Sequence, residues 1–230
     1  MRITPNATQR GALIVFEGCD RSGKTTVCER LVKHLNDTKQ LGKDDKESAK
    51  MMRFPDRTTK LGQVIDSYLQ NKEELNDHVI HLLFSANRWE KTSEMKKALE
   101  AGQHVIIDRY AFSGVAFSAA KEGMDLEWCR QPDRELPKPD LVCFLDVSPE
   151  EASKRGNYGN EKYEKVEFQA KVRDNYKKLE EDNWKVIETD GKTLDQVFEE
   201  VESVVKNVLA AEKETIQPLW PMKYLSNDHI

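Results

Sequence analysis

Apolar positions along this chain fall into short continuous runs, and segments with helical spacing separate them. The runs at 12–17, 104–108, 141–146 and 184–189 predict buried strands, and Met51, Met52 and Phe54 indicate a further short strand that Pro55 ends. Helices are predicted over 24–36, 60–71, 76–101, 111–122, 164–182 and 193–211. Strands that alternate with helices in this way predict a parallel sheet with helices on both faces.

Residues typical of helix starts and helix ends support this interpretation. Ser148, Pro149 and two following acids form a typical helix start, because serine caps the N terminus, proline fits the first position and acids favour the first turn. Gly102 ends the predicted helix over 76–101. The polar stretch at 36–50 predicts a solvated loop, and a proline-rich connection precedes the strand at 141–146.

Composition narrows the possible functions. The chain has 230 residues, a length that suits one domain, or one domain with a lid. Its 36 Lys+Arg and 41 Asp+Glu give a net charge of −5, which disfavours a general nucleic-acid coat. The apolar runs are too short to span a membrane, and the first ten residues do not resemble a signal sequence. Four scattered cysteines predict reduced thiols in the cytoplasm, with the nucleus as an alternative, and no zinc site. We therefore expect no nucleic-acid or membrane partner.

Residues 18–25 read GCDRSGKT and fit the phosphate-binding pattern G-x-x-x-x-G-K-[ST]. The segment follows a predicted buried strand and precedes a predicted amphipathic helix, as this pattern requires. Backbone N–H groups and the helix N terminus would then face phosphate oxygens. Lys24 would bridge the β and γ phosphates of a nucleotide, and Thr25 would hold Mg²⁺. The sequence thus predicts a P-loop.

Other segments carry side chains suited to a second, phosphorylated substrate. Arg57 follows the predicted second strand, and Phe84 and Arg88 share a helix face because they are four residues apart. Asp108 and Arg109 end the third strand, where open parallel sheets bind ligands. Residues 154–163 are basic and contain glycine, which predicts a lid. Each feature alone fits a core aromatic or a surface charge, but together with a P-loop they predict a small-molecule kinase.

At these residues the chain resembles the thymidylate kinases of the eukaryotic type, a branch of the nucleoside-monophosphate kinases. The resemblance extends from about residue 10 to Trp220. Its strings are GALIVFEG at 11–18, the Asp20-Arg21 pair, RFPDR at 53–57, HLLFSANRWE at 81–90, DRYAFSGVAF at 108–117, LPKPDL at 136–141 and RGNYGNEKYE at 155–164.

The resemblance implies a three-layer α/β P-loop fold with about five parallel strands and a short lid. It implies a single kinase domain over 1–230, with the lid at about 154–164 and a C-terminal extension at about 221–230, and it implies a homodimer. The implied reaction transfers a phosphoryl group from MgATP to dTMP, giving dTDP and ADP for dTTP synthesis.

The resemblance also implies a set of site residues. The catalytic residues would be Lys24, Arg21, Arg109 and Asp20. ATP would be bound by Gly18, Cys19, Asp20, Arg21, Ser22, Gly23, Lys24, Thr25, Thr26 and Arg155. The dTMP site would comprise Asp20, Phe54, Arg57, Phe84, Arg88, Arg109, Ser113, Gly114, Phe117 and Tyr163. Thr25 and Asp108 would hold Mg²⁺, partly through water.

Individual roles follow from the same resemblance. Asp20 would accept from the deoxyribose 3′-hydroxyl, and Arg57 and Arg109 would hold the acceptor phosphate. Phe84 would stack on the base and Arg88 would donate to it. Arg21 would reach the transferring phosphate from the P-loop itself, while Arg155 would lie against the adenine, and Phe117 is a candidate for a wall at the sugar C2′.

Three departures and two alternatives remain. The polar loop at 36–50 is longer than is usual, Lys162 stands where arginine is common, and residues 221–230 lie beyond the resemblance. Another P-loop nucleotide or deoxynucleoside kinase is one alternative, although a nucleoside kinase would need a carboxylate base and fewer arginines for an acceptor phosphate. A non-catalytic nucleotide-binding homologue is the other, and it would be expected to lack Lys24, Thr25 or Asp108.

Overall fold

A computed structural model describes residues 9–38, 47–155, 159, 161–213 and 215–222. Within these ranges five parallel strands form one sheet in the order β2-β3-β1-β4-β5, which confirms the predicted fold class. The strands are β1 (Leu13–Glu17), β2 (Ala49–Arg53), β3 (His104–Asp108), β4 (Leu141–Asp146) and β5 (Trp184–Glu188). All residues of β1 are buried because this strand is central and both of its faces are covered.

Helices cover both faces of the sheet. Those in the described ranges are α1 (Lys24–Asp37), α2 (Lys60–Leu69), α3 (Asp77–Trp89), α4 (Thr92–Glu100), α5 (Ala111–Ser118), α6 (Leu126–Arg130), α7 (Pro149–Ser153), α8 (Val166–Leu179) and α9 (Leu194–Ala210), with a 3₁₀ turn at Gln131–Asp133. Alternate residues of β1 face different layers: Leu13 and Val15 join a core with α4, α5 and α8, whereas Ile14 and Phe16 join a core with α1 and α9.

The continuous helix predicted over 76–101 is wrong, because the chain forms two helices there. After α3 ends at Trp89, the Lys91 N–H donates to the Arg88 carbonyl only three residues earlier, at 3.2 Å. The side chains of Glu90 and Lys91 turn toward the loop after β2 and contact Thr59 and Asp56. The spacing of apolar residues along the chain cannot indicate such contacts between distant segments.

The proline-rich connection contains structure that the sequence pattern did not indicate. It forms α6 and the 3₁₀ turn, and residues near the C-terminal end pack beside it. Leu219 exchanges backbone hydrogen bonds with Glu135 and Leu136, and the Trp220 ring lies 5.3 Å from the Phe112 ring. The predicted cap of α7 is confirmed, since the Ser148 hydroxyl accepts from the Glu151 N–H.

Parts of three predicted features lie outside the described residues. These are 39–46 of the polar loop, 156–158 and 160 of the lid, and the C-terminal extension from 223 onward. No helix among the described residues is both long and apolar enough to cross a membrane. All four cysteines are free and buried.

Candidate active site

The carboxyl ends of the parallel strands open into a cavity of about 490 Å³. Most of the predicted site residues line it, from the P-loop side as well as the acceptor side. These are Asp20, Arg21, Gly23, Lys24, Thr25, Thr26, Phe54, Arg57, Phe84, Arg88, Asp108, Arg109, Ser113, Gly114, Phe117, Arg155 and Tyr163. The remaining three, Gly18, Cys19 and Ser22, are P-loop residues that do not line the cavity. One enclosed space therefore brings the predicted donor and acceptor groups together.

The P-loop follows β1 directly and turns into α1 at Gly23. Gly23 has φ 93°, a left-handed conformation that glycine adopts without strain. A Cβ atom at Gly18 would lie 2.5 Å from the Leu145 carbonyl oxygen, so the loop can approach β4 only with glycine there. The N terminus of α1 consequently faces the cavity, where its free N–H groups can bind phosphate oxygens.

Lys24, the lysine of the P-loop pattern, is buried rather than facing solvent. It is 5% exposed, and its ammonium group donates to the Cys19 carbonyl at 2.7 Å and to the Ser22 hydroxyl at 3.0 Å. Burial lowers the pKa of Lys24 to about 8. The P-loop folds around its own lysine because the backbone carbonyl of Cys19 points inward.

Thr25 and Asp108 meet at the end of β3, as the resemblance implies for a magnesium site. The Thr25 hydroxyl donates to Asp108 Oδ2 at 2.6 Å, and Asp108 Oδ1 is buried with no hydrogen-bond partner among the described residues. An orphaned carboxylate oxygen beside a hydroxyl is the hard oxygen donor set that Mg²⁺ prefers. The residues present therefore fit a magnesium ion whose other ligands would be phosphate and water oxygens.

Asp20 and Arg109 form an ion pair on the acceptor side of the P-loop. Arg109 Nη2 donates to Asp20 Oδ1 at 2.5 Å, and Gln169 Nε2 donates to Asp20 Oδ2 at 2.6 Å. The second nitrogen of Arg109, Nη1, donates to the Gly18 carbonyl at 3.2 Å and to the Ser113 hydroxyl at 3.3 Å. Arg109 has φ 65°, a left-handed conformation that is uncommon for a residue with a side chain.

A buried carboxylate, Glu17, lies beneath this pair. It ends β1 and is fully buried. Its Oε1 accepts from the backbone N–H groups of Tyr110 and Ser113 at 2.9 and 3.1 Å. Its Oε2 accepts from the hydroxyls of Ser113 and Tyr176 at 2.5 and 3.0 Å. Glu17 thus binds the first turn of α5 to the end of β1.

Carboxylates from the lid segment engage two of the predicted phosphate-binding arginines. Arg57 pairs with Glu161 at 2.8 Å and with Asp66 on α2 at 2.7 Å. Arg21 pairs with Glu164 at 2.8 Å, and its backbone carbonyl accepts from the Arg155 guanidinium at 2.5 Å. Anionic groups therefore already occupy positions beside the cations that the resemblance assigns to phosphates.

Arg88 is far more buried than a surface charge would be. Its Nε and Nη2 donate to both carboxylate oxygens of Asp133 at 3.0 and 2.6 Å, and the two side chains are 3% and 0% exposed. A Cβ atom at Gly114 would lie 2.5 Å from Arg88 Nη2, so α5 leaves room for this guanidinium only at a glycine. The remaining nitrogen, Nη1, takes no part in the Asp133 contact.

Aromatic rings form the wall beside Arg88. Tyr163 lies parallel to Phe168 at 5.1 Å and contacts Phe117 at 5.8 Å, while its hydroxyl donates to Tyr68. Phe84 is partly buried against the cluster of Ile65, Tyr68, Leu69 and Ile80. The Arg109 guanidinium lies 5.1 Å from the centre of the Phe117 ring.

Sequence reasoning missed several partners of the site residues. They are Glu17, Asp66, Asp133, Gln169 and Tyr176. Glu17 had a visible signal, because an acid ends an otherwise apolar strand directly before the P-loop. The others sit in helices or turns without a local pattern, and Gln169 reaches Asp20 across 149 residues.

Comparisons with known proteins show the family to which this chain belongs. The family model for thymidylate kinase matches residues 16–201. The chain is 50% identical to the thymidylate kinase of Danio rerio over 92% of its length and 98% of that protein, and 43% identical to that of Homo sapiens over 93% and 99%. The solved structure of the thymidylate kinase from Candida albicans superposes with a TM-score of 0.82 at 35% identity, covering 92% of this chain and 99% of that one.

Proposed function

Because this chain belongs to the thymidylate kinase family and transfers a phosphoryl group from ATP to dTMP, we propose how its residues divide that reaction between them. The observation that supports the proposal is the single cavity of about 490 Å³ that both the P-loop and the acceptor residues line. Phosphoryl transfer needs two nucleotides in line and the charge of the transferring group neutralised.

The P-loop side binds ATP in this proposal. Backbone N–H groups at the start of α1 bind the β and γ phosphates, and Lys24 exchanges its contacts to the loop for phosphate oxygens. Arg21 donates to the transferring phosphate, and Arg155 lies against the adenine. Thr25 and Asp108 hold Mg²⁺, which when bound neutralises charge on the β and γ phosphates.

The opposite side binds dTMP. Arg109 and Arg57 donate to the acceptor phosphate, and Asp20 accepts from the 3′-hydroxyl of the sugar. An acid is costly to place among phosphates unless it serves another group, and the sugar hydroxyl is such a group. Phe84 stacks on the base, while Phe117 and Tyr163 close the sugar side.

No strong general base is required. The attacking atom is a phosphate oxygen that is already ionised at neutral pH, so the chain contributes orientation and positive charge rather than proton removal. The excess of arginine and lysine around the cavity suits that task, because guanidinium groups bind phosphates with paired hydrogen bonds.

The lid carboxylates take the place of substrate before it binds. Arg57 with Glu161 and Arg21 with Glu164 are ion pairs of 2.8 Å each. The phosphate groups of dTMP and ATP would compete with these acids for Arg57 and Arg21. Such an exchange leaves each arginine paired.

The assembly proposed for this chain is a homodimer that pairs the outer faces of α2 and α3. Val79, Leu82 and Trp89 lie along one face of α3 and are 47%, 47% and 38% exposed, and Val64 on α2 is 37% exposed. Apolar side chains in such a stripe favour burial against a second copy. The free thiols fit a reducing compartment, the cytoplasm or the nucleus.

A panel of acceptors tests the residue roles. ADP release is measured with dTMP, dUMP, dCMP, UMP, AMP and dGMP for the parent and for Asp20→Asn. We expect dTMP and dUMP to be used well ahead of dCMP, and Asp20→Asn to raise KM for dTMP with little change in KM for ATP. Asp195→Asn is the matched control, since Asp195 is exposed on α9 and pairs with Arg30, away from the cavity.

Two results would contradict the assignment. A loss of ATP affinity without a loss of dTMP affinity in Asp20→Asn would move Asp20 to the donor side. Equal use of dCMP and dTMP by the parent would remove the base-reading role from Arg88.

A further inference from the structure

Two buried polar residues below the cavity, Glu17 and Tyr176, have no role in the reaction as described above. Both contact the hydroxyl of Ser113, which lines the cavity and contacts Arg109, and the three side chains form one network. We propose that Glu17 and Tyr176 are positioning residues which, through the Ser113 hydroxyl, hold the Arg109 guanidinium toward the acceptor phosphate. This inference rests on the proposed role of Arg109.

The Ser113 hydroxyl is the junction of the network. It donates to Glu17 Oε2 at 2.5 Å, lies 2.8 Å from the Tyr176 hydroxyl and accepts from Arg109 Nη1 at 3.3 Å. The single proton of the Ser113 hydroxyl goes to Glu17, so Arg109 Nη1 meets one of its acceptor positions. Tyr176, which donates its own proton to Glu17 Oε2, lies against the other side of the serine oxygen. The direction in which the Ser113 hydroxyl points is therefore set by Glu17 and Tyr176, and Arg109 meets an acceptor that cannot rotate away.

Tyr176 supports the second contact of Arg109 as well. Its hydroxyl lies 3.4 Å from the Gly18 carbonyl oxygen, which also accepts from Arg109 Nη1 at 3.2 Å. Both acceptors of Nη1 thus contact one tyrosine hydroxyl on α8. Helix α8 packs directly on α5. The Tyr176 hydroxyl therefore connects α8 to Arg109, which follows the end of β3.

The negative charge of Glu17 also indicates an interaction with the Arg109 guanidinium. A fully buried carboxylate is unfavourable unless donors and a cation compensate it. Two backbone N–H groups and two hydroxyls supply the donors, and Arg109 is the cation that opposes the rise that burial causes in the pKa of Glu17. Glu17 in turn favours the charged form of Arg109.

The network matters most once dTMP is bound. In the proposed reaction Arg109 donates to the acceptor phosphate through Nη2, the nitrogen that contacts Asp20 in this structure. Its partners through Nη1 are the Gly18 carbonyl and the Ser113 hydroxyl. Nη2 then binds the phosphate, while Nη1 stays held by the network.

Tyr176→Phe removes one hydroxyl and keeps the ring in the core, so this variant tests the inference. We expect KM for dTMP to rise about 3- to 10-fold, with KM for ATP unchanged. The matched control is Asn175→Ala, whose amide donates to the Ala116 carbonyl at 3.0 Å and so joins the same two helices without touching the network. It should lower the melting temperature and leave KM for dTMP unchanged.

A double-mutant cycle with Arg109→Ala separates this inference from the proposed function. If Tyr176 acts through Arg109, Tyr176→Phe has no further effect on KM for dTMP once Arg109 is alanine. Glu17→Gln, which keeps the shape and removes the charge, should behave in the same way with a larger effect in the parent background.

The outcomes are distinct. If Arg109→Ala itself leaves KM for dTMP unchanged, the proposed acceptor role of Arg109 is wrong. If Arg109→Ala raises that KM but Tyr176→Phe behaves like Asn175→Ala, or if its effect persists on Arg109→Ala, the positioning role is wrong and the proposed function stands.

Discussion

Lys24 shows at the scale of one residue why catalysis and stability must be measured separately. Its ammonium group is buried and bonded to the P-loop itself, with a pKa lowered to about 8 by burial. Burying a cation opposes folding, whereas the same cation favours the charged transition state. A residue of this kind can be lost from the active site without loss of the fold.

Lys24→Met should therefore abolish transfer and keep the structure. The methionine retains most of the apolar stem, and the variant no longer buries a charge, so we expect the free energy of unfolding to fall by less than about 1 kcal/mol. Turnover should fall by roughly 150- to 900-fold, because one preorganised charge is worth about 3–4 kcal/mol of the barrier. Near-normal turnover by a folded variant would contradict the P-loop assignment.

Arg88 is the residue that we expect to read the base. It offers only donors, which suit the O4 acceptor of thymine and oppose the amino group of cytosine. A buried donor left without a partner costs about 1–3 kcal/mol, so the parent should prefer dTMP over dCMP roughly 5- to 150-fold in kcat/KM. Arg88→Ala should lose most of this ratio, mainly by losing activity on dTMP.

The Asp133 contact complicates that test, and a double variant resolves it. Arg88→Ala leaves a buried carboxylate without its cation, which destabilises a protein by about 3–5 kcal/mol. Arg88→Met combined with Asp133→Asn removes both charges and should recover much of the stability. If the double variant regained stability and also kept the dTMP preference, Arg88 would have no part in base reading.

At the scale of elements, α3 carries much of the acceptor site and is held by buried polar contacts rather than by apolar packing alone. His81 joins it to two other helices, with Nδ1 2.8 Å from the Ser118 hydroxyl on α5 and Nε2 2.9 Å from the Cys129 carbonyl on α6. A carbonyl only accepts, so Nε2 carries the proton and Nδ1 accepts from Ser118. Burial favours the neutral imidazole, in which the two contacts have these directions.

Stability should fall in acid because of this histidine. Burial and Arg88 lower the pKa of His81 from 6.5 to about 4, with Lys121 acting in the same direction and Asp133 against it. Between these values the unfolded chain binds the proton and the folded chain does not, so the free energy of unfolding decreases as pH falls through this window. Protonation of His81 should lower the free energy of unfolding by about 2 kcal/mol between pH 7 and pH 4.5.

His81→Gln tests that sign. Denaturant unfolding of the parent and the variant is compared between pH 7 and pH 4.5, and the variant should show a pH slope smaller by nearly one proton. His104 contributes with the same sign, since burial lowers its pKa to about 4, so the slope should shrink without vanishing. Equal slopes in the two proteins would mean that His81 is protonated in the folded state.

At the scale of the whole molecule, the cavity and the proposed dimer interface lie on opposite faces of α3. Arg88 and Phe84 on α3 face the cavity, while Val79, Leu82 and Trp89 lie exposed on the outer side. A second copy on this surface would restrain α3 and with it the acceptor site. The proposed dimer thus stabilises the arrangement that binds dTMP.

Leu82→Glu should convert the protein to a monomer. A charge at the centre of an apolar interface is left unpaired in each copy, which weakens association strongly. Light scattering after size-exclusion chromatography measures the mass of the parent and the variant. Leu194→Glu on α9 is the matched control, because Leu194 is 44% exposed against 47% for Leu82 and lies on another face. An unchanged mass for Leu82→Glu would place the interface elsewhere.

The sequence by itself determined the strands, most of the helices, the P-loop and the aromatic and basic residues of the cavity. These features depend on local properties: apolar spacing, caps, glycine positions and residues a few places apart on one helix. A strand followed by a glycine-rich loop and a helix N terminus brings its phosphate-binding N–H groups together within a few residues of the chain. Such features can be predicted from the sequence because the residues that define them are neighbours in the chain.

Only the tertiary structure decided what each charged residue contacts. Arg88 meets Asp133 across 45 residues, Arg57 meets Glu161 across 104, and Tyr176 meets Glu17 across 159. Other contacts between distant segments, of Glu90 with Thr59 and of Lys91 with Asp56, accompany the break in the helix predicted over 76–101. The physical reason is that the free energy of a buried charge depends on its surroundings in space, and the chain brings those surroundings together only when it folds.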